Sequence, residues 1–155
     1  MSTATHSSFT INRQLPGSPT HAWRFWADPQ LKQRWTSCHP DWVELEQVFD
    51  FRAGGHERSR LRAPDGKIQS VEMHYLDLLP GQRIVYAYTM HVDETPLSAS
   101  LVTIALLSHA GGTRMVYTEA LAMLGAGEAA LRRQGTEGGF DRLVLEMERY
   151  LATVQ

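Results

Sequence analysis

The sequence contains a single cysteine, Cys38, so one chain cannot form an internal disulfide. A lone cysteine is typical of a reducing compartment, and no base is tied to Cys38 in the sequence, so we interpret it as a bystander thiol. The N-terminal stretch MSTATHSS lacks the apolar region of a signal peptide, and no apolar run approaches a membrane span. These absences together predict a cytoplasmic protein with no membrane partner.

The sequence also lacks an excess of charge and the common motifs for metals and cofactors. Lys and Arg number 15 against 17 Asp and Glu, which gives a formal net charge of −2 and no indication of a nucleic-acid partner. The 7 histidines have neither the spacing nor the carboxylate neighbours of a metal site. No phosphate loop, dinucleotide fingerprint or nucleophile elbow is found. We therefore predict no metal, no cofactor and no nucleic-acid partner.

What the sequence does contain is enough apolar material for one core. With 155 residues, 43% hydrophobic and 21% charged, the composition is that of an ordinary globular domain. We expect a poorly ordered polar tail over residues 1–8 and a single domain over residues 9–155. Period-two alternation begins at Phe9, and it predicts a first strand that ends at Leu15.

Two helix starts follow the first strand. Ser18 and Asp28 are good N-cap residues, and each precedes a proline, which predicts two short consecutive helices. Six further alternating stretches, separated by turns rich in glycine and proline, predict the remaining strands of an antiparallel sheet. The segment from Phe140 to Val154 repeats apolar residues at helical spacing and predicts a long amphipathic helix.

Three glycines, Gly135, Gly138 and Gly139, precede that apolar stripe, and they predict that the helix bends or begins there. The order of elements predicts an α+β fold of the helix-grip type. In such a fold a curved seven-stranded antiparallel sheet wraps round the long C-terminal helix, and two short helices follow the first strand.

Six segments, in this order and spacing, resemble the START-like superfamily, and within it the homologues of the ninety-kilodalton heat-shock protein ATPase activator. These segments are SPTHAWRFWADPQLKQRW, DFRAGGHER, PDGK, YLDLLPGQRIVYAY, GGTRMVYTE and RRQGTEGGFDRL. The resemblance implies a deep cavity between the sheet and the C-terminal helix, with Trp35 near its mouth. It also implies a chaperone as a candidate partner and a role in the stress response.

Strand alternation and helical spacing predict which side chains face that cavity. The predicted ligand-binding residues are Trp35, Glu57, Met73, Tyr75, Tyr86, Tyr88, Met115, Tyr117, Glu119, Phe140, Leu143 and Met147. No catalytic residue is assigned. Trp23 and Trp26 are interpreted as core residues, whereas Trp35 fits either the core or the pocket wall.

Glu57 and Glu119 are the unusual members of the predicted lining, and the pattern leaves two interpretations open. In the first, both are inward carboxylates without a cation partner, whose raised pKa would suit a general acid or base. In the second, both lie near strand ends and reach water or an arginine. Arg58, Arg60 and Arg62 alternate with Glu57 and are expected on the outer, solvated face.

We predict that the protein binds a small hydrophobic or aromatic molecule in this cavity. Two alternatives stay open: a cyclase, dehydratase or hydrolase that uses the cavity glutamates and tyrosines, and a module that activates a chaperone ATPase. The outer sheet face and the sheet edges would also allow a homodimer.

Overall fold

The computed structural model describes residues 3–36, 40–125 and 127–154. Cys38, interpreted above as a bystander thiol, lies outside the described residues. The elements in chain order are β1 (Thr5–Leu15), α1 (Pro19–Ala27), α2 (Pro29–Thr36), β2 (Val43–Phe49), β3 (His56–Arg62), β4 (Ile68–Leu79), β5 (Arg83–Val92), β6 (Thr95–His109), β7 (Gly112–Met123) and α3 (Ala129–Thr153).

The seven strands form one antiparallel sheet in the order β1-β7-β6-β5-β4-β3-β2. Strands β2 to β7 follow one another as a meander, and β1 closes onto β7 at the other edge. This confirms the predicted α+β helix-grip fold. β1 begins at Thr5, four residues before the predicted start at Phe9, because it pairs with β7 from Thr5, opposite Met123, to Leu15, opposite Thr113.

The concave face of the sheet carries the core, and its side chains alternate as predicted. Ile84, Val102, Ile104 and Met115 are all fully buried beneath the helices. The intervening positions face outward, where Arg58 forms ion pairs with carboxylates of neighbouring strands. The period of two along each strand therefore separates the interior from the solvated face.

The tryptophans of the two short helices belong to this core. Trp26 and Trp35 are both buried, and their ring centroids lie 5.3 Å apart at an edge-to-face angle. The indole Nε1 of Trp35 donates to the Phe25 carbonyl oxygen at 2.9 Å, which ties α2 to α1. Trp23 is partly buried, with its ring 5.3 Å from that of Phe51. Of the two roles left open for Trp35, the structure favours the core.

The last helix, α3, starts at Ala129 and runs without interruption through the three glycines. Of the two predicted alternatives, a helix that begins at those glycines is wrong, because α3 starts before all three of them. Each glycine lowers helix stability by about 1 kcal/mol relative to alanine. Tertiary contacts offset this, since Arg132, in the first turn, donates to Ser98 at 2.6 Å and to Tyr88 at 2.9 Å.

Replacement of the exposed Gly135 or the half-buried Gly138 by alanine should stabilise α3. A Cβ added at Gly135 or Gly138 meets no neighbouring atom within 4 Å, and neither residue has a positive φ. Gly135→Ala and Gly138→Ala should each raise the unfolding free energy by about 0.5–1 kcal/mol in urea denaturation. Gly55→Ala is the control and should lower the unfolding free energy, because its Cβ would lie 2.3 Å from the Asp50 carbonyl oxygen. Unchanged or lower stability in both helix variants would contradict a continuous α3.

Candidate functional site

A pocket of about 520 Å³ lies between α2 and the strands β2 and β3. Its lining residues are Pro29, Lys32, Gln33, Thr36, Pro40, Trp42, Glu44, Gln47, Phe49, Glu57, Ser59 and Leu61. The helical members recur at three- and four-residue spacing, so one face of α2 forms one wall. Alternate residues of β2 and β3 form the opposite wall. The volume lies within the range of roughly 300–1,000 Å³ typical of small-molecule sites.

A buried ion pair forms part of this pocket. The Lys32 ammonium lies 2.5 Å from Glu57 Oε1, and the two side chains are only 10% and 13% exposed. The Tyr75 hydroxyl donates to the same oxygen at 2.7 Å and accepts a hydrogen bond from Lys32 Nζ at 3.1 Å. Lys32 Nζ also lies 5.1 Å from the centroid of the Phe49 ring. One carboxylate oxygen thus holds a lysine and a tyrosine together.

The local sequence explains how these three groups meet. Lys32 precedes the buried Trp35 by three residues, so the inward turn of α2 carries both side chains toward the sheet. Two backbone hydrogen bonds hold Tyr75: it accepts from Gly54 at 2.8 Å and donates to Gly55 at 3.0 Å. Gly54 has a φ of 83°, and Gly55 has no room for a side chain, so the turn needs glycine at both positions.

A second buried ion pair lies under α3. Arg132, whose side chain is 11% exposed, pairs at 3.1 Å with Glu119, and Glu119 is fully buried. Its Oε2 also accepts from Tyr88 and Ser100, each at 2.6 Å, and its Oε1 accepts from Tyr117 at 2.7 Å. Four donors therefore surround this carboxylate, which satisfies it without a ligand.

The tyrosines around both carboxylates act as hydrogen-bond donors. Burial raises the pKa of Tyr75 above its ordinary value, and the neighbouring Glu57 raises it further. Burial likewise raises the pKa of Tyr88 and of Tyr117, with Glu119 among the further causes. Their hydroxyls therefore keep their protons at neutral pH and donate to the carboxylates.

Of the twelve predicted cavity residues, one lines the pocket beside α2 and the other eleven lie in or against the interior. Glu57 lines the pocket beside α2. Eight others belong to the buried hydrophobic core: Trp35, Tyr75, Tyr86, Met115, Tyr117, Phe140, Leu143 and Met147. Met73 and Tyr88 pack against that core, and Glu119 is buried under α3. The structure brings Tyr75 into contact with Glu57, and Tyr88 and Tyr117 into contact with Glu119.

Both glutamates point inward, and both have a cation partner. The structure thus combines the inward orientation of the first interpretation with the paired state of the second. Sequence reasoning missed both cations. Lys32 was recognisable because it shares the inward stripe with Trp35, and Arg132 because it lies eight and eleven residues before Phe140 and Leu143, on the same helix face.

Two further features bear on metals and membranes. Within residues 3–36, 40–125 and 127–154, no three His, Cys, Asp or Glu side chains come together as a candidate metal site. None of the described helices is long and apolar enough to cross a membrane.

The fold places the chain in the START-like class of helix-grip proteins. Residues 16–152 match the family model described as Activator of Hsp90 ATPase homolog 1-like protein, and the chain belongs to that family. A solved structure from Rhizobium leguminosarum has 41% identity and a TM-score of 0.91, with 96% of this chain and 99% of that chain covered. One from Rhizobium loti has 36% identity and a TM-score of 0.86, with 93% and 99% covered.

A more distant structure has the same fold. The AHSA1-like protein from Aeromonas hydrophila has 19% identity and a TM-score of 0.70, with 93% of this chain and 94% of that chain covered. No curated protein matches the sequence. The family and the fold are therefore established, and the function must be argued from the site.

Removal of one partner from the ion pair under α3 should destabilise the fold far more than removal of one partner from an exposed pair. Arg132→Met leaves the buried Glu119 without its cation and should lower the unfolding free energy by about 3 kcal/mol. The control, Arg83→Met, breaks an exposed 2.6 Å pair with Asp77 and should change the unfolding free energy by less than about 1 kcal/mol. Denaturant unfolding measures both. Equal losses in the two variants would contradict a stabilising role for the buried pair.

Proposed function

We propose that the protein binds a small aromatic or hydrophobic molecule in the pocket between α2 and the strands β2 and β3. The size of the pocket supports this, as does its apolar wall, to which Pro29, Trp42, Phe49 and Leu61 contribute. Small-molecule sites typically combine such walls with a few polar groups that orient the ligand. Here those groups are Lys32 and Glu57.

The buried Lys32–Glu57 pair is the observation that carries this proposal. A paired buried charge is often no more stabilising than well-packed apolar residues of similar size. What distinguishes it from the buried Arg132–Glu119 pair is that both of its residues line a pocket. A charge pair at the edge of an apolar pocket supplies a fixed polar reference for a ligand, and this supports a binding role.

The proposal moves the ligand from the interior under α3, where the sequence placed it, to the pocket beside α2. Under α3 the predicted side chains pack against one another, with the rings of Tyr117 and Phe140 centred 5.1 Å apart. An acid–base reaction by Glu57, activation of a chaperone ATPase, a homodimer and a cytoplasmic location stay predictions from the sequence and the family.

A blocking substitution tests the proposed pocket. Ser59→Phe places a ring inside the pocket and leaves the residues Lys32 and Glu57 unchanged, and it should abolish binding of aromatic fragments. Ser70→Phe is the matched control, because Ser70 lies beside Arg58 and Glu72 on the outer face. Ligand-observed NMR with fragments that carry neutral, cationic and anionic head groups gives the measurement.

The expected result is binding to the native protein and to Ser70→Phe, with at least a tenfold loss for Ser59→Phe. Ligand should also raise the melting temperature of the first two proteins. The absence of binding by any fragment would contradict the proposal, and so would equal binding by both variants.

A further inference from the structure

The charges that line the pocket do not favour an anion. One cation, Lys32, stands against two carboxylates, Glu44 and Glu57, so the lining has a formal charge of 1 − 2 = −1. The Lys32 ammonium already donates to Glu57 and to Tyr75. An anionic ligand would compete with Glu57 for Lys32 and leave a buried carboxylate without its cation, which is costly.

The described residues donate hydrogen bonds to one of the two carboxylate oxygens of Glu57. Its Oε1 accepts from Lys32 at 2.5 Å and from Tyr75 at 2.7 Å. Across the part of the chain that the structure describes, no hydrogen bond reaches Oε2. An ionised carboxylate has about four acceptor positions, and none of the described residues uses those on Oε2. Because Glu57 lines the pocket, a ligand there can use Oε2 as its acceptor.

The aromatic walls suit a ligand that carries an aromatic ring. The Lys32 ammonium lies 5.1 Å from the Phe49 ring centroid, so a cation already rests against one wall. Aromatic faces attract cations and also stack with other rings. Trp42, on the same side of the pocket, adds a second aromatic surface.

This inference rests on the proposed function: we propose that the ligand is an arylalkylamine, an aromatic ring with a protonated alkylamine whose ammonium group donates to Glu57 Oε2. The ring lies against Phe49 and Trp42. Aromatic alcohols, which donate a hydrogen bond without a charge, bind more weakly, and aromatic carboxylates bind most weakly. The pocket thus selects its ligand by the sign of the head group.

A series with one ring and three head groups tests this ranking. The probes are 2-naphthylmethylamine, 2-naphthalenemethanol and 2-naphthoate, measured by isothermal titration calorimetry at neutral pH. The amine should bind about tenfold more tightly than the carboxylate, which corresponds to one charge-assisted hydrogen bond. The alcohol should lie between them.

Three Glu→Gln variants locate the source of the selectivity. Glu57→Gln should weaken amine binding about tenfold and remove the preference over the carboxylate. Glu44→Gln leaves the Lys32–Glu57 pair intact and should weaken amine binding about twofold to threefold, less so in high salt. Glu72→Gln removes the same charge from the outer face and should leave all three affinities unchanged.

The outcomes separate the ligand class from the pocket itself. If the carboxylate binds as tightly as the amine while Ser59→Phe still abolishes binding, the ligand class is wrong and the pocket stands. If none of the three probes binds the native protein, the ligand class is again wrong, and the broader fragment panel then decides the proposed function. Should Glu57→Gln fail to fold, an unchanged amine affinity in Glu44→Gln would overturn the charge argument.

Discussion

Two of the three helices, α2 and α3, each bury a cation against a carboxylate of the sheet. Lys32 of α2 meets Glu57 of β3, and Arg132 of α3 meets Glu119 of β7. A buried charge without its partner costs several kcal/mol, so neither helix can move away from its strand without that cost. The two pairs therefore fix where α2 and α3 lie on the sheet, and the position of α2 in turn creates the pocket.

The two pairs differ in what they leave available. Glu119 is fully buried and takes hydrogen bonds on both oxygens, so it has nothing to offer a ligand. Glu57 accepts from Lys32 and Tyr75 on Oε1, receives no hydrogen bond on Oε2 from the residues that the structure describes, and lines the pocket. The same chemistry thus stabilises the fold in one place and provides a binding group in the other. The two glutamates differ in role because Glu57 lines a pocket that a ligand can enter, whereas Glu119 is fully buried.

The fold was predictable because it follows from local periodicity. Alternation along β5 to β7 placed Ile84, Val102 and Met115 inward, and all three are buried. The boundaries were less predictable where tertiary contacts override propensity. Arg132 extends α3 back to Ala129, although three glycines follow it.

The site was harder to predict because it depends on contacts between distant segments. The inward direction of Glu57 followed from its strand, but its partner Lys32 lies 25 residues away on a helix. No local pattern measures the volume left between side chains. The rings of Trp35, Tyr117 and Phe140 pack against one another under α3, whereas the space beside α2 stays open. That outcome depends on how side chains from several elements fill the interior.

A crystal structure of the complex with 2-naphthylmethylamine would locate the ligand relative to α2 and Glu57. We expect the ring between α2 and β2, against Phe49, with the ammonium nitrogen about 3 Å from Glu57 Oε2. The Lys32–Glu57 pair should remain intact in that complex. A ligand bound between the sheet and α3, or an amine that points away from Glu57, would contradict the account.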